Sequence, residues 1–284
     1  MRSKRPAALT LAALIGLPLA AMAAPADIAI CDRLAAHPED QDKPSDIKGS
    51  IDIADTDVPL AVKACKAAAS APGAPRRLLF ELGRAYEFSR QPVEASKAYR
   101  RAIDAGSASA MVGLGVMLIT GKGVKPDIAE ARRLIEKAAN AGDVGGMVNM
   151  AAIYGGGVGV PADMKIARDW YAKAAAANSS EAMFQLGLIA QDGDVGPKDD
   201  AAAKALFEKA ASLDHADAIE QLGVYAEAGR AGPKDEKAAL AFYKRAASLG
   251  NKEAVQALER LRCPFALKDK DRKIAGNICF DGKN

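Results

Sequence analysis

The side chains with the widest chemical range in this chain are four cysteines and two histidines among 284 residues. Cys31 and Cys65 lie toward the start, Cys263 and Cys279 toward the end, and no two are close enough in sequence to make a chelating pair. Only His37 and His215 could complete a ligand set, and each is placed in a loop or turn where it is expected to be solvated, so neither a metal nor another cofactor is expected. The remaining nucleophile pattern is Ser45-Asp46-Ile47-Lys48, the Ser-x-x-Lys of penicillin-recognising enzymes, but it lies in a polar loop and no Lys-Thr-Gly accompanies it. Gly155-Gly156-Gly157-Val158-Gly159 has the glycine density of a phosphate cradle, yet no Gly-Lys-Ser/Thr follows and no strand precedes it. No Ser/His/Asp set is apparent. The sequence points away from an enzyme.

The first 23 residues carry Arg2, Lys4 and Arg5, an apolar run over residues 7–20, and Ala21-Met22-Ala23 before Ala24. This pattern reads as a cleavable secretory signal, which makes the protein exported, with the periplasm as the expected compartment and no membrane span after cleavage. The formal charge of +3 comes from those three cationic residues, because their removal leaves 36 basic against 36 acidic side chains. A neutral mature chain is a poor binder of nucleic acid. An even number of cysteines in an exported chain predicts disulfides, with three possible two-bridge pairings. Asn178-Ser179-Ser180 fits a glycosylation sequon, although the same Asn178 is placed to close a helix.

What positions these residues is a repeat. Leu114, Met150, Leu186, Leu222 and Leu258 recur every 36 residues, as do Met111, Met147, Met183, Ile219 and Val255. A second series, Ala131, Ala167, Ala203 and Ala239, keeps the same step, followed by Leu134, Trp170, Leu206 and Phe242. The apolar positions fall three and four apart in two blocks per unit, which predicts two amphipathic helices. Gly121, Gly157, Gly193 and Gly229 separate them, and Asp127, Asp163, Asp199 and Asp235 are predicted to cap the second helix, with Glu130 completing a capping box. Gly106, Gly142, Asn178, Asp214 and Gly250 fit the left-handed position that ends it. A glycine or alanine after the first-helix leucine (Gly83, Gly115, Ala151, Gly187, Gly223) predicts close approach of a neighbouring helix. Such periodicity is the signature of a solenoid, in which each unit contacts mainly its neighbours. The core leucine Leu186 is therefore expected to be buried on both sides.

The organisation that follows is a signal (1–23), an N-terminal cap carrying Cys31 and Cys65 (24–74), an array of five units plus a capping helix (75–262) and a short tail (263–284). Pairing Cys31 with Cys65 and Cys263 with Cys279 would place one bridge at each end of the array, where terminal units have a neighbour on one side only. The tail is too short and polar to fold independently, and the second bridge would hold it to the last helix.

The pattern Leu-Gly-x-x-Tyr, a Gly-x-Gly-Val turn, Asp, then Ala-x-x-aromatic or Leu and Lys-Ala-Ala resembles the Sel-one-like repeat, a relative of the tetratricopeptide repeat, over roughly residues 75–262. The resemblance implies an all-α, α/α superhelical solenoid that binds proteins and does not catalyse. In tetratricopeptide-like superhelices the concave face is built from the first helix of each pair. Carried onto this chain, that face holds Phe80, Val112, Val148, Phe184 and Glu220, and next to them Arg84, Val116, Ala152, Leu188 and Val224. The expected partner is thus a peptide or helix in a largely apolar groove, with the chain itself a monomer. Some cysteine-rich members of the family have been linked to β-lactam binding, which leaves an exported weak hydrolase as the alternative. Here, however, the cysteines lie outside the repeats.

Overall fold

The structure, a computed structural model, describes residues 24–262, 265–268 and 274–278. Two N-terminal helices, α1 (Pro25–Ala35) and α2 (Val58–Ser70), precede five helix pairs. These are α3 (Arg76–Phe88) with α4 (Pro92–Asp104), α5 (Ala108–Thr120) with α6 (Ile128–Asn140), α7 (Val144–Gly156) with α8 (Met164–Ala176), α9 (Ser180–Asp192) with α10 (Asp200–Ser212), and α11 (Ala216–Ala228) with α12 (Glu236–Ser248). A last helix, α13 (Lys252–Arg262), packs on α12. Each helix packs on the next in sequence, and α5 also touches α3 and α7, so the first helices of successive pairs line one side. The molecule is an α/α solenoid. Among the described residues no helix is long and apolar enough to cross a membrane.

The caps follow the aspartate register. Asp127, Asp163, Asp199 and Asp235 each accept a backbone N–H from the first turn of the second helix, at 2.9 Å for Glu130, Ala202 and Ala238 and 3.1 Å for Ile166. The capping box expected at Asp127 does not form, because the Glu130 carboxylate instead pairs with Arg133 at 2.7 Å, a shorter reach along the helix surface. The helix-closing positions, Asn178 and Asp214 included, all have positive φ. First-helix glycines meet second-helix rings: a Cβ added at Gly187 would lie 2.4 Å from Phe207, and one at Gly83 or Gly223 2.3 or 2.6 Å from Tyr99 or Tyr243. Those rings, with Ile135 and Tyr171, occupy one repeat position, and the absent methyl is what lets them fill the core. Of the leucine series, Leu114, Met150 and Leu222 are buried, whereas Leu186, expected to be buried on both sides, is only partly so and packs at the margin of the cluster formed by Ala151, Tyr171 and Ala174.

Cys31 and Cys65 form a disulfide with Cα atoms 4.8 Å apart, joining α1 to α2 at the N-terminal end. Both sulfurs are buried, and the pair packs on α3. The expected signal peptide and the expected Cys263–Cys279 bridge lie outside the described residues. In the tail, expected to have no fold of its own, β1 (Phe265–Lys268) pairs antiparallel with β2 (Ile274–Ile278) in a two-stranded ribbon, with Phe265 opposite Ile278.

Candidate functional site

The first helices begin at a second periodic set of caps: Ser107, Asp143, Ser179, His215 and Asn251, again 36 apart. Each accepts a backbone N–H from its own first turn. The same side chains also reach back 34 residues to the preceding unit. Asp143 takes the Ser109 hydroxyl at 2.9 Å, His215 pairs through Nε2 with Glu181 at 3.0 Å, and Asn251 donates to Asp217 at 2.7 Å. This polar ladder forms a rim along the N-terminal ends of the first helices. His215 is therefore not a solvated turn residue: its Nδ1 caps α11, which leaves Nε2–H to donate to Glu181, and Phe184 stacks on its ring at 4.8 Å.

Across this rim lie residues 36–57, the connection between α1 and α2, which doubles back over the first helices as a strap. Its base is gripped by Arg84, whose guanidinium donates to the carbonyls of Ala35 (2.7 Å), Ser50 (2.8 Å) and Ile51. From there Asp40 meets Ser109 at 3.1 Å, Gln41 donates to the Gly142 carbonyl at 2.5 Å, and Glu39 receives the Ser179 hydroxyl at 3.3 Å. Asp42 is held by both Nε and Nη2 of Arg76 at 2.6 Å. His37 belongs to the strap, and its Nδ1 accepts the Glu39 N–H at 3.2 Å, so it too is engaged instead of solvated. Burial, then the neighbouring Arg84 charge, lowers its pKa to about 4, which keeps the ring neutral.

The strap decides which predicted groove residues are free. Phe80 and Arg84 are each only 5% exposed: Arg84 is committed to strap carbonyls and Phe80 packs at 5.9 Å from the Tyr99 ring. These two thus face the protein's own chain instead of solvent. The reason lies in the strap's polar anchors, which are single contacts far apart in sequence and carry no period. Val112 is partly exposed but shares a pocket with the strap residues His37 and Glu39, whereas Val148, Phe184, Leu188 and Val224 are partly exposed and Val116 is 37% exposed, so these lie along the open remainder of the face.

Burial raises the pKa of Glu39, Asp40 and Asp143, the largest cause in each case being loss of water around the charge. Ser109 lies within reach of both Asp40 and Asp143 but has one proton to give. Between strap and rim is an open cleft of 790 Å³, lined by Glu39, Asp40, Ser45, Ser179, Glu181 and His215. Ser45 and Lys48 are both exposed and no hydrogen bond joins them. The one group of potential metal-binding atoms among the described residues, Cys31, Cys65 and Glu81, has its sulfurs bonded to each other and offers no thiolate.

The comparisons with known proteins agree with this architecture. The Sel1 repeat matches at residues 108–143, 145–179, 180–215 and 216–251. A Sel1 repeat protein from Oxalobacter formigenes shares 30% identity, with a TM-score of 0.66 over 73% of this chain and 88% of that one. The protective antigen c5321 of uropathogenic Escherichia coli, described as displaying an SLR fold, shares 27% identity and a TM-score of 0.55 over 71% of this chain and 44% of its own. No curated protein matches the sequence. Four matched repeats, in register with the helix pairs α5 to α12, show that this chain belongs to the Sel1 repeat family.

Proposed function

We propose that this protein is a non-catalytic interaction scaffold of the cell envelope, holding a peptide or helix of a partner in the open part of its concave face. Sel1 repeat proteins are in general scaffolds for protein contacts, and the repeat array itself supplies one here. The observation that carries the reading is the row of partly exposed apolar side chains Val148, Phe184, Leu188 and Val224, which runs on past the strap along successive first helices. An apolar strip left uncovered on a concave helical surface is a place for another chain to bind. A helix laid there would bury one face on it, and the polar rim would fix its direction.

Export rests on the N-terminal pattern and is part of the same proposal. The experiment is capture from an envelope extract with the full chain as bait, against a Leu188→Glu variant. A charge at this partly exposed position disfavours apolar contact, and the melting temperature reports whether the core on which Leu188 packs stays in place. A partner retained by the parent and lost by the variant, at equal melting temperature, supports the reading; equal capture by both removes the groove as the binding site.

A further inference from the structure

The rim ladder has one gap, and the strap fills it. At the position that answers the next unit's cap, the five units carry Ser109, Gly145, Glu181, Asp217 and Glu253. Asp143, His215 and Asn251 find their partners at Ser109, Glu181 and Asp217. Ser179 should find its partner at residue 145, where there is no side chain. The carboxylate it binds comes instead from Glu39, 140 residues away, and the other oxygen of that carboxylate lies 3.7 Å from where a Gly145 Cβ would stand. Beside it, Asp40 is 5% exposed with Oδ2 buried and without a partner. The strap therefore enters the rim as a ligand would, through side chains read one by one: Glu39 by Ser179, Asp40 by Ser109, Gln41 by a main-chain carbonyl and Asp42 by the fork of Arg76.

We infer that the gap at Gly145 is a recognition station for a turn-forming acidic segment of the type Glu-Asp-x-Asp, that the strap is its resident occupant, and that a partner bearing such a segment binds by taking the strap's place. The chemistry follows from the readers. The Ser179 hydroxyl and the bidentate Arg76 take carboxylates at the first and last positions, the Ser109 hydroxyl is shared between Asp40 and Asp143, and the carbonyl of Gly142 selects a donor between them. Gly145 leaves the rung open: a Cβ there would already lie in ordinary contact with the Glu39 carboxylate at 3.7 Å, so a longer side chain directed along the rim would compete for its place. The segment is held as consecutive turns, with the Asp40 N–H on the His37 carbonyl at 3.1 Å and the Lys43 N–H on the Asp40 carbonyl at 3.3 Å, which fan its four side chains out to three different units. This inference rests on the proposal that the concave side is a binding surface, and it adds the class of partner and the means by which the strap governs access.

The probe is a fluorescent synthetic peptide with the sequence of residues 37–48, titrated against the full disulfide-intact chain. The parent, whose station is occupied, should bind it weakly. The Glu39→Ala/Asp40→Ala variant should bind at least tenfold tighter, and a probe with Gln, Asn and Asn at the positions of Glu39, Asp40 and Asp42 should lose that gain. Adding Gly145→Glu to the same variant should abolish binding by restoring the missing rung. Equal binding by parent and variant, or by charged and neutral probes, would overturn the inference. Should the double variant fail to fold, Gly145→Glu alone keeps the test open, because a rung supplied in place should displace the strap and speed tryptic cleavage after Lys48 at least fivefold. Unchanged cleavage would equally overturn it. A probe that fails while Leu188→Glu still loses its partner removes the acidic segment alone. A probe that binds while that variant keeps its partner removes the open groove alone.

Discussion

Glu81 shows how a single side chain can tie stability to pH. Its carboxyl sits on α3 with no exposed surface, Oε2 lies 3.0 Å from Cys31 Sγ, and burial, then the charge of Asp32, raises its pKa to about 9. The groups around it are Asp32, which is itself paired with Arg77 at 3.0 Å, and the more distant Asp40. At neutral pH it is therefore an acid with its proton on. A group whose folded pKa is raised binds its proton more tightly when folded, so its stabilisation is complete below the ordinary glutamate value of 4.5 and is lost as pH rises toward about 9. In that window one proton contributes a slope of up to about 1.4 kcal/mol per pH unit. Urea unfolding at pH 5 and pH 8 should show the parent losing stability and Glu81→Gln losing markedly less. Parallel losses would mean that Glu81 is ionised in the fold. The other buried acids, Glu39, Asp40, Glu87 and Asp143, push in the same direction, but they are common to both proteins and cancel in the difference. Nothing in the sequence marks Glu81 as buried. It occupies a helix position where a charge is ordinarily solvated, and only the cap helices folding over α3 bury it.

At the scale of the helix pair, the packing of a glycine on a ring is the unit of construction. Gly187 and Phe207 leave no room for a methyl, so Gly187→Ala must push the ring off its place even though alanine favours the helix by up to about 1 kcal/mol. Overpacking of this kind costs about 1 to 3 kcal/mol, so a net loss of stability is expected. Gly155, also inside a first helix, would place its Cβ 3.4 Å from the flexible Met164 sulfur, and there the same substitution should be neutral or stabilising. Chemical denaturation of the two variants decides it; equal effects would mean the close approach is not what the glycine is for. This much was legible in the sequence, because apolar and cap positions that repeat every 36 residues reinforce one another from unit to unit. Asp127, Asp163, Asp199 and Asp235 could be read as caps for that reason. The first-helix caps repeat just as strictly, but Ser107, Asp143, Ser179, His215 and Asn251 share only the ability to accept a hydrogen bond, so residue identity hid the register. The strap had no period at all. Its anchors are single polar contacts spanning 69, 101 and 140 residues, and a pattern search cannot see contacts that occur once.

For the molecule as a whole, the strap changes what kind of solenoid this is. A chain whose units touch only their neighbours has stability that is a sum of local terms, and it can melt from either end. Here a segment rooted in α1 and α2 makes contacts with α3, α5, the turn after α6 and the start of α9, so the first units are joined to one another through something other than the stack. The Cys31–Cys65 bond closes the loop that contains this segment, with a separation of 34 residues. On the chain-entropy view such a closure contributes about 4 kcal/mol, and it is delivered at the end of the array where stacking is one-sided. Two consequences can be separated by hydrogen exchange resolved along the chain. Replacing both cysteines by alanine should lower protection first in α1 to α3, where the bond lies. Glu39→Ala/Asp40→Ala, with the bond intact, should instead lower protection around Ser109, Gly142 and Ser179 and leave α11 and α12 as they were, because nothing in the strap reaches those helices. A uniform drop from α3 to α12 in the second variant would mean that the array unfolds as one cooperative body and that the strap is no more than a lash on its surface. A drop confined to the strap-bound units would mean that an occupant which displaces the strap also loosens the part of the scaffold it enters. The energy of docking and the stability of the N-terminal units would then be two readings of the same contacts.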